Sequence, residues 1–209
     1  MKLKMTLANK ITLTRAAMSI VMFLLMIVEN GWAMIAASLI FAVAASTDWI
    51  DGRIARKTNT STPFGAIVDP FVDKVLVGAA FFAFTEISYL DVPVWAVFII
   101  ILRELMVSTL RVLAALDNYV MAAERWGKFK TTVQLIALGL IFFIADVEIL
   151  IPYASGTFKD CLVFLDNLLG ALPYSITVVT ALVTALSGIS YLKNNWAMLK
   201  KSWSLPVND

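Results

Sequence analysis

Asp48-Trp49-Ile50-Asp51-Gly52-Arg53-Ile54-Ala55-Arg56, followed eight residues later by Gly65-Ala66-Ile67-Val68-Asp69-Pro70-Phe71-Val72-Asp73, is the stretch that decides how this chain is read. It places four aspartates in a sequence that is otherwise strongly apolar. Two like charges at about 4 Å repel by roughly 4 kcal/mol at an effective dielectric of 20, so a carboxylate cluster in an oily setting calls for cations. The spacing is helical as well as acidic. Asp48 and Asp51, three apart, share a helix face, as do Asp69 and Asp73, four apart. Two helices that each offer two carboxylates can enclose one or two hard cations such as Mg²⁺.

The surrounding composition sets the medium. Of the 209 residues, 60% are hydrophobic and the mean hydropathy is +0.84. A soluble domain is closer to half apolar. The apolar residues run in blocks of about 20, the length a helix needs to cross a bilayer. We therefore expect an all-α, polytopic membrane protein, with residues 1–209 forming a single membrane domain. A net charge of +2 is too small to suggest nucleic acid as a partner. The single cysteine, Cys161, excludes an internal disulfide. The absence of histidine removes imidazole ligands and bases, which leaves Asp, Glu, Lys, Tyr or metal-bound water for proton transfer.

Six spans are expected, over about 13–29, 32–48, 64–88, 93–116, 127–150 and 173–192. Asn30-Gly31 breaks the first pair, Thr62-Pro63 is a helix start, and Pro70 should kink the third span. Asp91-Val92-Pro93 forms a turn. Residues 52–62, 117–126 and 151–171 read as polar links. Basic residues fix the orientation: with the N-terminus inside, Lys2, Lys4, Lys10, Arg53, Arg56, Lys57, Arg125, Lys128, Lys130, Lys193, Lys200 and Lys201 all fall on the inner side, and only Lys159 falls outside. Both termini and the aspartate array are then cytoplasmic. The basic N-terminus resembles a signal peptide, but Arg15 within the apolar block and its extension to Val28 favour a retained helix. Residues 1–12 could form an amphipathic segment on the anionic inner leaflet; the alternative is a plain positive-inside anchor.

The array's neighbours suit a pyrophosphate. Gly52 and Gly65 allow a ligand to approach the backbone, and Arg56 lies one turn beyond Gly52, in reach of a phosphate. The full pattern, Asp48-x2-Asp51-Gly52-x2-Ala55-Arg56-x8-Gly65-x3-Asp69-x3-Asp73, resembles the signature of the CDP-alcohol phosphatidyltransferases at every specified position. The wider stretches Phe64–Val75, Arg103-Glu104-Leu105-x3-Thr109-Leu110-Arg111 and Gly127-Lys128-Phe129-Lys130-Thr131-Thr132-x-Gln134 resemble the branch of that family that acts on glycerol 3-phosphate. The resemblance covers roughly residues 9–140.

That resemblance implies a fold of six transmembrane helices with a cytoplasm-facing polar cavity, usually dimeric, in a bacterial-type inner or plasma membrane. It implies CDP-diacylglycerol and sn-glycerol 3-phosphate as substrates and two divalent ions, Mg²⁺ or Mn²⁺, per site. By the same analogy Asp48 and Asp69 would touch both ions, Asp51 one and Asp73 the other, with Asp73 also the base that activates the acceptor hydroxyl. Gly52, Arg56, Thr62, Thr12 and Gly65 would bind CDP-diacylglycerol.

Span four carries Arg103, Glu104 and Arg111 in an apolar segment, and intramembrane charges are functional candidates. Glu104 and Arg111 lie seven apart on nearly one face, which fits either a structural pair or a cavity lining. In the second case Arg103 and Arg111, joined by Lys128 and Lys130, would bind the acceptor's phosphate. The competing readings are the same chemistry on serine, an inositol phosphate or phosphatidylglycerol, and a cation transporter. The transporter reading lacks the repeated halves and midplane charges such proteins use.

Overall fold

The structure, a computed structural model, describes residues 7–28, 30–58, 63–116, 125–196 and 199–200; the side chains at 7–8, 48–58, 63–70, 73, 113, 115–116 and 125–128 lie outside that description. The described chain is helical, with seven α-helices: α1 Leu7–Ile27, α2 Gly31–Thr58, α3 Pro63–Phe84, α4 Val94–Leu116, α5 Arg125–Leu150, α6 Gly156–Leu169 and α7 Leu172–Asn194. Short 3-10 turns at Ser88–Leu90 and Ile151–Tyr153 lead into α4 and α6. Asp91 adopts the left-handed conformation, φ 46°, and reverses the chain before Pro93, where the Asp-Val-Pro turn is expected.

Two differences from the sequence reading stand out. The first is α6, which lies inside the stretch 151–171 read as a polar link. At 14 residues it is about 21 Å long, too short to cross a bilayer. Its apolar residues (Phe158, Leu162, Val163, Phe164, Leu165, Leu168, Leu169) alternate with Lys159, Asp160, Asp166 and Asn167, so it carries no long apolar run to betray a helix. Gly156, with φ 57°, supplies the left-handed residue at its start. The second is α1, which begins at Leu7 and runs unbroken to Ile27. Residues 7–12 are thus continuous with the first long helix; residues 1–6 lie outside the description. The helix α3 starts at Pro63 as expected and continues through Pro70 without interruption.

Among the described residues, three stretches are long and apolar enough to cross a membrane: Asn9–Ile27, Phe129–Tyr153 and Leu172–Asn194. Shorter apolar stretches occupy Gly31–Thr47 of α2 and Lys74–Phe84 of α3. The helix α4 is long enough, but every 18-residue window in it holds Arg103, Glu104 and Arg111.

Packing forms two joined groups. The helix α1 packs against α2 and α3, and α7 packs against α4 and α5, while α2 meets α5 and joins the groups. Phe142 of α5 stacks on Phe41 of α2 at 4.9 Å and meets Phe84 of α3 edge-on at 4.7 Å. Near the start of α2 a Cβ on Gly31 would come within 2.7 Å of Ile149 Cγ2, so glycine permits the close approach of α2 to α5. Ser38 Oγ donates to Asp146 Oδ1 at 2.9 Å in the same region. The helix α1 buries a seam of Thr12, Arg15, Ser19, Met22 and Met26, with alternating steps of three and four residues. That is the spacing of a helix facing neighbours along one stripe. The seam is polar in its first half and apolar in its second.

Candidate active site on α2 and α3

The motif divides between two helices. Asp48, Asp51, Gly52 and Arg56 lie on α2, near its C-terminal end, and Gly65, Asp69 and Asp73 lie in the first half of α3. Only residues 59–62 separate the helices, and the two pairs of aspartates stand at matching distances from that link, about two to three helical turns along α2 and α3. Because both backbones are helical there, the three- and four-residue spacings place each pair on one helix face. The side chains of Asp48, Asp51, Arg56, Asp69 and Asp73 lie outside the described residues, as do Thr62 as a whole and the side chain of Lys128. Thr12 is described: it is buried on α1, at the N-terminal end of the seam that faces α2 and α3.

The donor set fits a hard divalent cation. It offers carboxylate oxygens only, with no histidine in the chain and Cys161 far off on α6. Oxygen-only ligation is the preference of Mg²⁺ and Mn²⁺. Among the described residues no group of three or more His, Cys, Asp or Glu could hold a metal elsewhere.

One residue beyond Asp73 a polar network begins that crosses four helices. Lys74 Nζ of α3 donates to Ser108 Oγ of α4, and Ser108 Oγ in turn donates to the Glu104 carbonyl at 2.5 Å. Glu104 is the hub. Its Oε1 accepts from Lys130 Nζ and from Gln134 Nε2 (3.1 Å), both on α5, and lies 3.8 Å from Arg103 Nη1. The network then reaches α7: Arg103 Nη2 donates to Ser187 Oγ at 2.9 Å, and Gln134 Nε2 lies 3.5 Å from Thr184 Oγ1. A carboxylate in so apolar a bundle requires this density of donors, since an unpaired buried charge is costly.

The sequence candidates are therefore sorted by the fold. Arg103 and Lys130 come together at Glu104, and both are buried. Arg111 does not join them; it is exposed near the C-terminal end of α4, and the cation paired with Glu104 is Lys130. The Glu104–Arg111 pair suggested by their seven-residue spacing is thus replaced by one between α4 and α5. Lys74, Thr184 and Ser187 were not candidates. A signal for the last two exists in the sequence: Thr177, Thr180, Thr184 and Ser187 recur at helical spacing in an otherwise apolar span, and all four are buried.

An all-helical membrane protein whose two central helices share paired aspartates across a short link, with a buried cationic network behind them, has the architecture of an enzyme that handles phosphorylated substrates at a membrane surface. The chain belongs to the CDP-alcohol phosphatidyltransferase family, whose pattern matches residues 5–185. It is 34% identical over 208 residues to the CDP-diacylglycerol–glycerol-3-phosphate 3-phosphatidyltransferase of Bacillus subtilis, covering 94% of this chain and 98% of that one. The Pseudomonas fluorescens enzyme of the same name is 33% identical over 94% of this chain and 93% of its own length. A probable phosphatidylglycerophosphate synthase of Mycobacterium tuberculosis is 42% identical over 137 residues, 64% of each chain.

Proposed function

We propose that this chain transfers the phosphatidyl group of CDP-diacylglycerol to sn-glycerol 3-phosphate, giving phosphatidylglycerophosphate and CMP. The observation that carries this reading is the placement of the two aspartate pairs on α2 and α3, either side of a link of only four residues, 59–62. The activities named for relatives that span nearly the whole chain support the same reaction.

Asp48, Asp51, Asp69 and Asp73 would hold two divalent ions, Mg²⁺ or Mn²⁺. Such ions, when bound, neutralise a pyrophosphate and its developing charge. The chain's own residues do the rest. Gly52 and Gly65 leave the backbone open to the nucleotide, with Arg56, Thr62 and Thr12 as its polar contacts. The acceptor's hydroxyl oxygen attacks the phosphorus that bears the diacylglycerol. The bond from that phosphorus to CMP breaks, CMP leaves with the electron pair, and the hydroxyl proton passes to the Asp73 carboxylate. With no histidine in the chain, a carboxylate is the natural acceptor for that proton. Arg103, Arg111, Lys128 and Lys130 would bind the acceptor's phosphate. Two of them already gather at Glu104, behind the helix that carries Asp73.

In this reading α1 to α5 and α7 cross the membrane, and α6 does not. Both termini and the site face the cytoplasm of a bacterial-type inner membrane, by the distribution of Lys and Arg. The working unit is a homodimer. The test is an acceptor screen with purified protein and labelled CDP-diacylglycerol. Glycerol 3-phosphate should give CMP and a phosphorylated lipid, whereas serine, inositol phosphate and phosphatidylglycerol should give neither. Product with one of those three instead would overturn the acceptor assignment.

A further inference from the structure

Arg15 is 4% exposed, in the middle of the first long apolar helix. A buried guanidinium stays charged and needs an opposite charge close by. The helix that carries it packs against α2 and α3. The sequences of α1, α2 and α3 contain four carboxylates in all: Asp48, Asp51, Asp69 and Asp73. Within this three-helix group, the motif aspartates are the entire supply of counter-charge.

The register agrees with the charges. The helices α1, α2 and α3 run up, down and up through short links, so α1 and α3 are parallel. The rings of Phe23 and Phe82 lie 6.3 Å apart and fix the level of α1 against α3. Eight residues back along each helix, about 12 Å at 1.5 Å per residue, stand Arg15 and Lys74, the residue after Asp73. The seam changes character at the same height. Thr12, Arg15 and Ser19 are its polar half, and Met22 and Met26 face the apolar core beyond.

We propose that Arg15 is a positioning residue for the aspartate array, its guanidinium supplying a fixed positive charge at the level of Asp73. The inference rests on the reading of the array as the metal-binding site. Two carboxylate pairs that must accept two divalent ions repel one another whenever the ions are absent. A permanent cation on a third helix keeps the array assembled between turnovers. It acts through the carboxylates and does not touch the reacting atoms.

The test is thermal unfolding of the full-length protein in EDTA and in saturating Mn²⁺, for the wild type, Arg15→Gln, Arg15→Lys and Asp48→Asn. Arg15→Gln should lower the midpoint in EDTA by about 4 °C or more, the shift of a modest stability loss in a chain of this size. Mn²⁺ should restore it, because the ions then supply the missing charge. Arg15→Lys should behave like the wild type. An equal drop with and without Mn²⁺ would mean a packing role only, and no drop in either would mean no role; both overturn the proposal. If Arg15→Gln cannot be purified, Arg15→Gln combined with Asp73→Asn decides. Removing both charges should yield a folded protein, and failure to recover one overturns the proposal. The underlying reading is judged separately. If Mn²⁺ stabilises the wild type no more than Asp48→Asn, the array is not the metal site. If it does stabilise the wild type and Arg15→Gln is indifferent to it, the positioning role alone falls.

Discussion

Replacing Glu104 by Gln removes one charge and almost no volume from the centre of the cationic network. The Glu104 and Lys130 side chains are 13% and 7% exposed, so this is a buried pair, with Arg103 Nη1 3.8 Å away as a second cation. Removing one partner of a buried pair costs about 3–5 kcal/mol, because the remaining charge is left uncompensated. Glutamine keeps an oxygen that can accept from Gln134, so the lower end applies, about 3 kcal/mol. For a chain of this size, a loss of 1 kcal/mol lowers the midpoint by roughly 2–4 °C. The expected drop is therefore about 6–12 °C, followed by tryptophan fluorescence in detergent or nanodiscs. The double variant Glu104→Gln/Lys130→Met should recover part of the loss, since one of the two uncompensated cations is gone. A Glu104→Gln midpoint equal to the wild type would refute the reasoning. So would a double variant no more stable than the single one, because then the charge of Lys130 was never the problem.

Gly188 of α7 sits where a Cβ would come within 2.8 Å of Arg103 Cγ, whereas Gly78 of α3 has open space. Gly188→Val should destabilise by about 1–3 kcal/mol through overpacking, and Gly78→Ala should be neutral or slightly stabilising; matched thermal melts compare the two. Arg111 is exposed, so Arg111→Ala should leave the melting midpoint alone. If it contacts the acceptor's phosphate, the KM for glycerol 3-phosphate rises about tenfold or more, the worth of one charge-assisted bond, and that for CDP-diacylglycerol stays unchanged. Arg111→Lys should rescue only in part, and equal weakening of both substrates would end the assignment. Burial, together with the charges of Glu148 and Asp146, pushes the Tyr89 phenol up to about 12. Its folded pKa lies above the unfolded value of about 10, so its contribution is complete below pH 10 and is lost as pH rises through 12. Tyr89→Phe should delete a component titrating near pH 12 from an absorbance titration at 295 nm and flatten alkaline unfolding between those pH values.

Much of the fold was legible because long helices announce themselves by length and composition. Residues 93–116 and 127–150 were read almost to the boundaries of α4 and α5, since Pro93 and the polar run 117–126 punctuate them. The helix α6 escaped because a 14-residue amphipathic helix with Lys159, Asp160 and Asp166 spread along it looks like a loop to any search for apolar runs. At the site, the motif aspartates were visible because their chemistry is written in short local spacings. The partners of Glu104 were not. Periodicity along one helix pointed to Arg111, while the actual partner, Lys130, is on α5 and reaches Glu104 through tertiary packing. For Arg15 the sequence shows only a charge within an apolar block; its burial and its register with α3 follow from the packing of α1 on α2 and α3.

The central claim is that the four aspartates of α2 and α3 support phosphatidyl transfer to glycerol 3-phosphate. The measurement that tests it most directly is CMP release from CDP-diacylglycerol by purified protein, with glycerol 3-phosphate present, for the wild type, Asp69→Asn and Asp73→Asn. We expect release by the wild type that requires the acceptor, stops in EDTA and returns with Mg²⁺ or Mn²⁺. It should be absent in Asp69→Asn and reduced by at least about 10²-fold in Asp73→Asn, the low end for loss of a general base, with CDP-diacylglycerol still bound. Undiminished release in EDTA, or near-normal turnover by either variant, would contradict the account.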